Sequence, residues 1–329
     1  MSSSYETSLL FYHFDEASSA RLAETIKQAV NQTTGRLIIV LVSPEFDHNR
    51  HEHLASKWDW IQNTLVLAYL PAAHVAELRN DPLFNTDVIL VPDPDQAAHH
   101  LSQEKWNAVF TLEGGMTLFL SRVRSQDPSV NPLKLVMKEG EPKIYPVSVI
   151  GGTFDYLHPG HKILLSMAAW ISTSKLIVGV TDDALLTKKA NKRYIQPITE
   201  RTASVTSFVR LFKPSIECEA VPIQDVYGPT GWDSNIQALV VSRETLGGAA
   251  SGSTATSSSG RTKTNQKLIT VAQLRSEKSL PPLDLFVIDV ISSSSVVLPE
   301  QDTAVLRDSK LSSTRIREWL ARKEGPREK

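Results

Sequence analysis

The sequence contains almost no cysteine, no surplus of charge and no long apolar run. Cys218 is the only cysteine among the 329 residues, which excludes an intrachain disulfide and a cysteine-rich zinc site. Lys and Arg number 35 against 36 Asp and Glu, so no global basic field favours nucleic acid or a membrane surface as a partner. No apolar run approaches the ~20 residues that span a membrane, and the segment 1–10 lacks a secretory pattern. We therefore expect a soluble protein of a reducing, intracellular compartment.

The most informative stretch of the chain covers residues 145–171. A β-branched run at 147–150 is followed by Gly151 and Gly152, and apolar residues then recur with helical period. The pattern predicts a strand, a glycine turn and a helix over 160–172.

Two histidines flank the point where this turn enters the helix, in the order His158, Pro159, Gly160, His161. Proline suits the first helical position, and the unpaired N–H groups of the first turn attract an anion. Residues three apart share a helix face, so both imidazoles can face a phosphate while Gly160 keeps a β-carbon out of its path. Such imidazoles can donate hydrogen bonds to charge that grows during a displacement. A turn that the histidines merely cap is the structural alternative.

Strand and helix patterns alternate from residue 144 to the end of the chain, which predicts an α/β domain with a doubly wound parallel sheet. In such sheets ligands bind at the carboxyl ends of the strands. The further strands are predicted at 175–180, 216–221, 238–241 and 283–291, and the further helices at 200–211 and 265–277.

Three loops of this domain have distinctive compositions. The loop after the strand at 175–180 carries a basic cluster that suits a second phosphorylated substrate, although a solvated loop of like charges is the alternative. The irregular segment 224–232 either closes over a substrate or merely connects two elements. The segment 247–264 is too poor in apolar residues to fold, which predicts a flexible surface insertion. The basic cluster consists of Lys188, Lys189, Lys192 and Arg193.

The first 143 residues also alternate between strand-like and helix-like patterns, which predicts a second α/β domain whose role the sequence does not indicate. Three histidines after Pro44 suggest a metal site, but their polar surroundings favour a solvated loop. These histidines are His48, His51 and His53. Strands are predicted at 8–14, 36–42, 64–69, 88–91 and 108–112, and a helix at 18–30.

A second candidate phosphate site begins at Ser312. If Ser312 is a helix N-cap, Leu311 and Ile316 occupy the two positions of a hydrophobic staple. Capping does not explain three hydroxyls beside Arg315, a combination that fits a β,γ-diphosphate. The four residues are Ser312, Ser313, Thr314 and Arg315.

These two elements together carry a family resemblance. Residues 151–161 closely resemble the signature of the nucleotidyltransferases with a His-x-Gly-His motif. Residues 311–317 resemble the Ile-Ser-Ser-Thr-x-Ile-Arg element of the same superfamily, with Leu311 where isoleucine is usual. The resemblance implies a Rossmann-like nucleotidyltransferase domain over 144–329.

Three further segments resemble one branch of this superfamily. They are the Leu-Leu-x-Lys-Lys loop, Gln196-Pro197 followed by Glu200-Arg201, and the Ala-Leu-Val-Val-Ser-x-Glu-Thr strand. This combination is similar to the eukaryotic, fungal-type phosphopantetheine adenylyltransferases and to the adenylyltransferase part of animal coenzyme A synthase. The resemblance covers residues 145–246 and 282–321.

The resemblance implies that the phosphate of 4′-phosphopantetheine attacks the α-phosphorus of ATP, which gives dephospho-coenzyme A and pyrophosphate. Mg²⁺ should be carried by the ATP phosphates rather than by protein ligands. The Gly-x-x-x-x-Gly-Lys-Ser/Thr pattern is absent from the sequence, so the dephospho-coenzyme A kinase would be a separate protein in the same compartment, the cytoplasm or the nucleus. The alternatives are a nucleotidyltransferase for CTP or nicotinamide mononucleotide, and a scaffold subunit of a coenzyme A-synthesising complex.

Positions that match the motifs take their implied roles from the family. The implied catalytic residues are Thr153, His158, His161 and Lys189, and His161 matters most as charge develops. The implied acceptor site comprises Thr153, Lys188 and Lys189, with the choice between the two lysines open. The residues implied in ATP binding are Gly152, Thr153, Phe154, His158, Gly160, His161, Ser242, Arg243, Glu244, Thr245, Ser312, Ser313, Thr314 and Arg315.

Overall fold

The computed structural model of the chain describes residues 4–15, 19–102, 105–111, 143–225, 227–243, 271–288 and 312–324. The described residues fall into two compact units, one within 1–143 and the other within 144–295 and 310–329. No described helix is long and apolar enough to cross a membrane.

The first unit is built on a parallel sheet with the strand order β3-β2-β1-β4. The predicted strands at 8–14, 36–42 and 88–91 and the predicted helix at 18–30 are confirmed, and the strand at 108–112 is confirmed in its first three residues. The elements are β1 (Tyr5–His13), α1 (Ser19–Asn31), β2 (Thr33–Val42), α2 (Trp58–Leu78), β3 (Asn85–Val91), α3 (Pro94–His100) and β4 (Ala108–Phe110).

The strand predicted at 64–69 is wrong, because these residues lie inside α2. The apolar pattern continues on both sides of the run, and α2 extends over 21 residues, with Leu65, Ala68 and Ala72 buried. Such length is typical of a helix rather than of a strand. A short apolar run with two β-branched residues, Thr64 and Val66, cannot by itself decide between the two.

The three histidines after Pro44 lie in a segment with two short 3₁₀ helices, Pro44–Phe46 and His51–His53. The Nε2 atom of His48 is 3.2 Å from the carbonyl oxygen of Leu90, at the end of β3. His48 therefore contacts the backbone of the sheet, a role that the sequence did not indicate.

The second unit is built on a parallel sheet with the strand order β7-β6-β5-β8-β9. This order confirms the doubly wound sheet predicted from the alternating pattern. The elements are β5 (Tyr145–Gly152), α4 (Pro159–Ile171), β6 (Ser172–Thr181), α5 (Ile198–Phe212), β7 (Glu217–Ile223), β8 (Ala238–Ser242), β9 (Asp284–Ile288), α7 (Ser313–Glu324) and, over residues 271–277, α6.

The position of a ligand crevice follows from this strand order. From β5 the chain crosses to β6 and β7 on one side, and β8 returns to the other side of β5. Ile150 of β5 lies opposite Val240 of β8, and both side chains are buried in the core. The carboxyl ends of β5 and β8 therefore meet at the point where the strand order reverses, which is where ligands of open α/β sheets bind.

The glycine turn predicted after β5 is displaced by two residues. Gly151 and Gly152 still belong to β5, opposite Gly179 and Val180 of β6. A Cβ atom on Gly152 would lie 3.0 Å from the ring of Phe154, so the close packing of this ring favours glycine there. The turn begins only after these glycines.

Two residues of this turn have left-handed backbone conformations, Phe154 with a φ of 51° and Tyr156 with a φ of 44°. Bulky residues seldom adopt positive φ angles, and such conformations persist only where the surrounding contacts hold them. The turn between β5 and α4 is therefore held by specific contacts.

Several sequence predictions fall outside the described residues. These are the flexible insertion at 247–264, the staple residue Leu311, the candidate ATP-binding residues Glu244 and Thr245, the first part (265–270) of the helix predicted at 265–277 and the ends of the strands predicted at 108–112 and 283–291.

Candidate active site

The first part of the site is the start of α4. His158 is the N-cap residue with an extended backbone, Pro159 is the first helical residue, and the Lys162 N–H donates to the His158 carbonyl. The imidazoles of His158 and His161 stack with their centroids 3.9 Å apart and their planes inclined by 26°. The ring of Phe154 lies 5.3 Å from that of His161. The structure thus brings both predicted histidines to one face of the helix start, with Gly160 between them.

Both imidazoles lie where a positive charge on the ring is disfavoured. Burial and the charge of Lys189 lower the pKa of His161 to about 3, and the backbone of Tyr156 opposes this shift. Burial, His161 and Lys162 lower the pKa of His158 well below its ordinary value. Each ring is therefore neutral at neutral pH and carries one N–H donor. Burial disfavours a charge of either sign, but the positive charges of Lys162 and Lys189 favour an anion such as a phosphate beside these rings.

These pKa shifts predict that the protein loses stability in acid. In the unfolded chain a histidine titrates near pH 6.5, whereas in the fold both rings stay neutral to much lower pH. The unfolded state then binds more protons below pH 6.5, and the free energy of unfolding falls as the pH falls. We expect a loss of up to about 2 kcal/mol per histidine at pH 5, because the ring takes up a proton there in the unfolded chain and not in the fold.

Urea unfolding at pH 7 and pH 5 measures this loss. The variant with His158→Asn and His161→Asn should lose less stability between the two pH values than the unaltered chain does. An equal loss in both proteins would show that these rings do not carry the effect.

The second part of the site is the start of α7. The Ser312 oxygen accepts a 3.4 Å hydrogen bond from the Arg315 N–H, which confirms Ser312 as the N-cap. Ser313 donates its hydroxyl proton to the Asp155 carbonyl at 2.8 Å, and Thr314 accepts a hydrogen bond from Arg317 at 3.1 Å. Ser312 and Thr314 accept in these bonds, so each retains its own proton for a ligand oxygen.

The two parts meet at Asp155, a fully buried residue of the turn after β5. One carboxylate oxygen accepts from Arg317 of α7 at 2.6 Å, and the other accepts from the Gln196 N–H at 2.9 Å. The turn with the histidines, the start of α7 and the loop before α5 are therefore joined at one carboxylate.

The basic loop between β6 and α5 is the third part of the site. Lys188 and Lys189 are both exposed, but among the loop lysines only Lys189 contributes to the pKa shift of His161. The loop is anchored from below, because its Ala190 carbonyl accepts from Arg317 at 3.1 Å and its Tyr194 carbonyl accepts from the Tyr156 hydroxyl at 2.8 Å. Of the lysines in this loop, Lys189 is therefore the one whose charge acts on His161.

Arg201 holds the strand ends beneath the site. Its guanidinium is fully buried and donates to the carbonyls of Thr153 at 2.9 Å, Thr181 at 2.8 Å and Gln196 at 2.9 Å. It also pairs with Asp183. The ends of β5 and β6 and the beginning of α5 are therefore fixed to one another where Thr153 enters the turn.

The remaining predicted residues lie at the same edge of the sheet. Gly152 ends β5, and Ser242 ends β8 two residues beyond the pair Ile150–Val240. Arg243 follows Ser242 and is exposed. The described candidate residues therefore lie at the carboxyl ends of β5 and β8, at the starts of α4 and α7, or in the basic loop after β6.

Three buried residues, Asp155, Arg201 and Arg317, were assigned no role by the sequence. Each lies in a stretch that already carried a motif. Arg201, four residues before Val205 in the predicted helix, is a charged residue at a position where the helical period predicts burial. That conflict between charge and burial was the available signal, because charged side chains are seldom fully buried without partners.

The fold is a parallel α/β sheet with two neutral imidazoles at the start of the helix after its central strand and Lys189 in the loop after the next strand. This arrangement defines the class of α/β domains whose ligand site lies at the switch point of the sheet. The chain belongs to the cytidylyltransferase-like family, which matches residues 149–319. This family places the domain among the nucleotidyltransferases.

Individual relatives are similar over the same region. The phosphopantetheine adenylyltransferase of Saccharomyces cerevisiae is 39% identical over 180 residues, which cover 55% of this chain and 50% of the relative. An uncharacterized protein of Schizosaccharomyces pombe is 36% identical over 176 residues, 54% of this chain and 48% of the relative. The phosphopantetheine adenylyltransferase of Methanopyrus kandleri is 33% identical over 167 residues, 49% of this chain and 93% of the relative. The match spans about half the length of both fungal relatives.

Proposed function

We propose that this protein transfers the adenylyl group of ATP to 4′-phosphopantetheine and so forms dephospho-coenzyme A and pyrophosphate. The observation that carries the proposal is the meeting at Asp155 of two phosphate-binding elements, the histidine pair of α4 and the hydroxyl-rich start of α7. The printed names of the yeast and archaeal relatives support the choice of substrates.

The reaction needs positioning and charge stabilisation more than it needs a base. A phosphate oxygen of the acceptor forms a bond to the α-phosphorus while the bond from that phosphorus to the bridging oxygen of the diphosphate breaks. The acceptor oxygen is already an anion, so no proton has to be removed from it. His158 and His161 donate hydrogen bonds to the α- and β-phosphates, and that of His161 strengthens as negative charge grows in the transition state.

Lys189 and Thr153 bind the acceptor phosphate in this scheme. Lys189 is preferred over Lys188 because its charge reaches His161, next to which the transferred phosphoryl group has to lie. An ammonium group at this position offsets the repulsion between the acceptor phosphate and the α-phosphate.

The leaving diphosphate is bound at the start of α7. The protons of Ser312 and Thr314 and the charge of Arg315 serve this binding, together with the unpaired N–H groups of the first helical turn. Ser313 contributes less directly, because its proton is already donated to Asp155. Ser242 and Arg243 flank the adenosine at the end of β8. The same role is assigned to Glu244 and Thr245 from the family resemblance alone, because they lie outside the described residues.

ATP would bring Mg²⁺ on its phosphates, and the ion would neutralise part of their charge. The donors gathered at the site are imidazole, ammonium and hydroxyl groups, which fit phosphate oxygens rather than a bare cation. Among the described residues, no group of three or more His, Cys, Asp or Glu side chains could hold a metal ion. A Mg²⁺ ion that keeps several waters and takes its other ligands from phosphates fits this donor set.

The product still requires phosphorylation of its ribose, which we assign to a separate kinase that works in the cytoplasm beside this protein or in the nucleus.

The rival nucleotidyltransferases differ in the nucleotide or the acceptor. Release of pyrophosphate from Mg·ATP and Mg·CTP, each with 4′-phosphopantetheine or nicotinamide mononucleotide, separates them. We expect release only with ATP and 4′-phosphopantetheine. Release from CTP or with the mononucleotide would overturn the assignment, and ATP binding without any release would favour the scaffold.

A further inference from the structure

We propose that the buried ion pair between Asp155 and Arg317 is a positioning device. It sets the distance between the two proposed phosphate-binding elements, the histidine pair of α4 and the start of α7. It also fixes the position of the basic loop relative to both. The proposal rests on the proposed function, because it assigns the pair a part in the binding of both substrates.

The pair is buried and its hydrogen bonds cross long separations in sequence. The side chain of Arg317 is 2% exposed and that of Asp155 is fully buried. Arg317 binds the Asp155 carboxylate 162 residues away and the Ala190 carbonyl 127 residues away. Asp155 also accepts from the Gln196 N–H and, through its carbonyl, from Ser313. One ion pair therefore connects the turn after β5, the loop before α5 and the start of α7.

Arg317 is placed to orient other groups rather than to bind phosphate. Its Nε, Nη1 and Nη2 atoms each donate to the protein, to Ala190, Asp155 and Thr314 respectively. Contact with a ligand would require the guanidinium to leave a buried carboxylate, which is costly for a desolvated charge.

The second contact between α7 and the basic loop is weaker. Glu324, near the end of α7, accepts a hydrogen bond from Tyr194 at 2.7 Å and lies 3.7 Å from Arg193. The side chains of Arg193 and Glu324 are 57% and 45% exposed, and exposed ion pairs contribute little. The buried pair therefore dominates the placement of α7 against the loop.

Hydrogen exchange measured with substrate kinetics tests the proposal. Arg317→Lys keeps the charge but loses the planar fork, so it should speed exchange at least about tenfold in both 312–324 and 186–196. It should also raise the KM for Mg·ATP and the KM for 4′-phosphopantetheine by about tenfold, at a temperature where the variant is fully folded. Asp155→Asn should give the same pattern of faster exchange in both segments and raised KM values for both substrates. A merely structural role of the pair would lower stability without raising both KM values in the folded protein.

Two variants provide the controls. Glu324→Gln removes the exposed contact of the same helix and should leave exchange and both KM values within about twofold of the unaltered protein. Lys213→Met removes a buried base, 2% exposed, that donates to the carbonyls of Trp170 and Ser172. It should lower the melting temperature and leave both KM values unchanged. Unchanged KM values and exchange in folded Arg317→Lys would overturn the proposal.

A measurement on the unaltered protein covers the case in which both pair variants fail to fold. Mg·ATP alone should slow exchange in 312–324 and also in 186–196, because the pair transmits the order of α7 to the basic loop. Protection confined to 312–324 would overturn the proposal. If the unaltered protein neither binds ATP nor releases pyrophosphate, the proposed function fails. Faster exchange in both 312–324 and 186–196 in the variants would still show that the ion pair holds α7 and the basic loop together.

Discussion

Replacement of His161 by alanine is expected to lower the turnover number by about 100- to 1,000-fold, the effect of removing one donor to the charge of a transition state. His161 stacks on His158 at the start of α4 and is held neutral by burial and by Lys189. A neutral donor already in position costs no reorganisation during the reaction. Steady-state pyrophosphate release measures the loss, and the KM for ATP should change much less than the turnover number.

Two further variants serve as controls for this result. His161→Asn retains an N–H donor of shorter reach and should fall between alanine and the unaltered protein. His53→Ala, a substitution of a side chain that is 39% exposed in the first unit, should leave turnover unchanged. Turnover of His161→Ala close to that of the unaltered protein would remove His161 from the reaction.

Lys189→Met is expected to lower kcat/KM for 4′-phosphopantetheine by about 10- to 100-fold, the range for the loss of a hydrogen bond to a charged group. Lys188→Met provides a matched control, because both side chains are exposed and adjacent in the same loop. Burial lowers the pKa of His161 most, and of the two lysines only Lys189 lowers it further. Removal of Lys189 should therefore raise that pKa, removal of Lys188 should leave it unchanged, and burial should keep it below its ordinary value in both variants.

The pKa of His161 is measured by titration of its ring protons by NMR, and kcat/KM by varying the acceptor at saturating Mg·ATP. Equal losses in the two lysine variants, or a larger loss for Lys188→Met, would reverse the assignment of the acceptor site.

The local patterns of the chain were sufficient to predict most of the second unit. The β-branched run, the glycines and the helical period around His158 and His161 specify a strand, a turn and a helix within 27 consecutive residues, 145–171. Interactions between near neighbours in sequence decide such features. The parallel pairing of the strands, and with it the expectation that ligands bind at their carboxyl ends, followed from the alternation of strands and helices and the right-handed connections of such sheets. The order β7-β6-β5-β8-β9 was not predicted.

Features that depend on contacts remote in sequence could not be predicted. Nothing in the sequence pairs Asp155 with Arg317 across 162 residues, or directs Arg201 towards the carbonyls of Thr153 and Thr181. The strand predicted at 64–69 failed for a related reason, because a short apolar run is compatible with either periodicity and the length of α2 decided the outcome.

The strand order of the first unit also could not be predicted from the sequence. Its α/β character was predicted, but its strand order β3-β2-β1-β4 was not, and that order matches the first four strands of the second sheet, β7-β6-β5-β8. The sequence of the first unit has no counterpart of the paired histidines at the turn after the central strand, where His13 ends β1. A shared strand order therefore does not carry the activity of one unit to the other.

The most direct test of the proposed function measures both products in one reaction. The purified full chain is incubated with Mg·ATP and 4′-phosphopantetheine, dephospho-coenzyme A is quantified by mass spectrometry and pyrophosphate by a coupled assay. We predict equal amounts of the two products, formed only when both substrates are present, with formation lowered by at least about 100-fold in His161→Ala. Pyrophosphate without dephospho-coenzyme A, or no product from a folded chain that binds ATP, would contradict the proposed function.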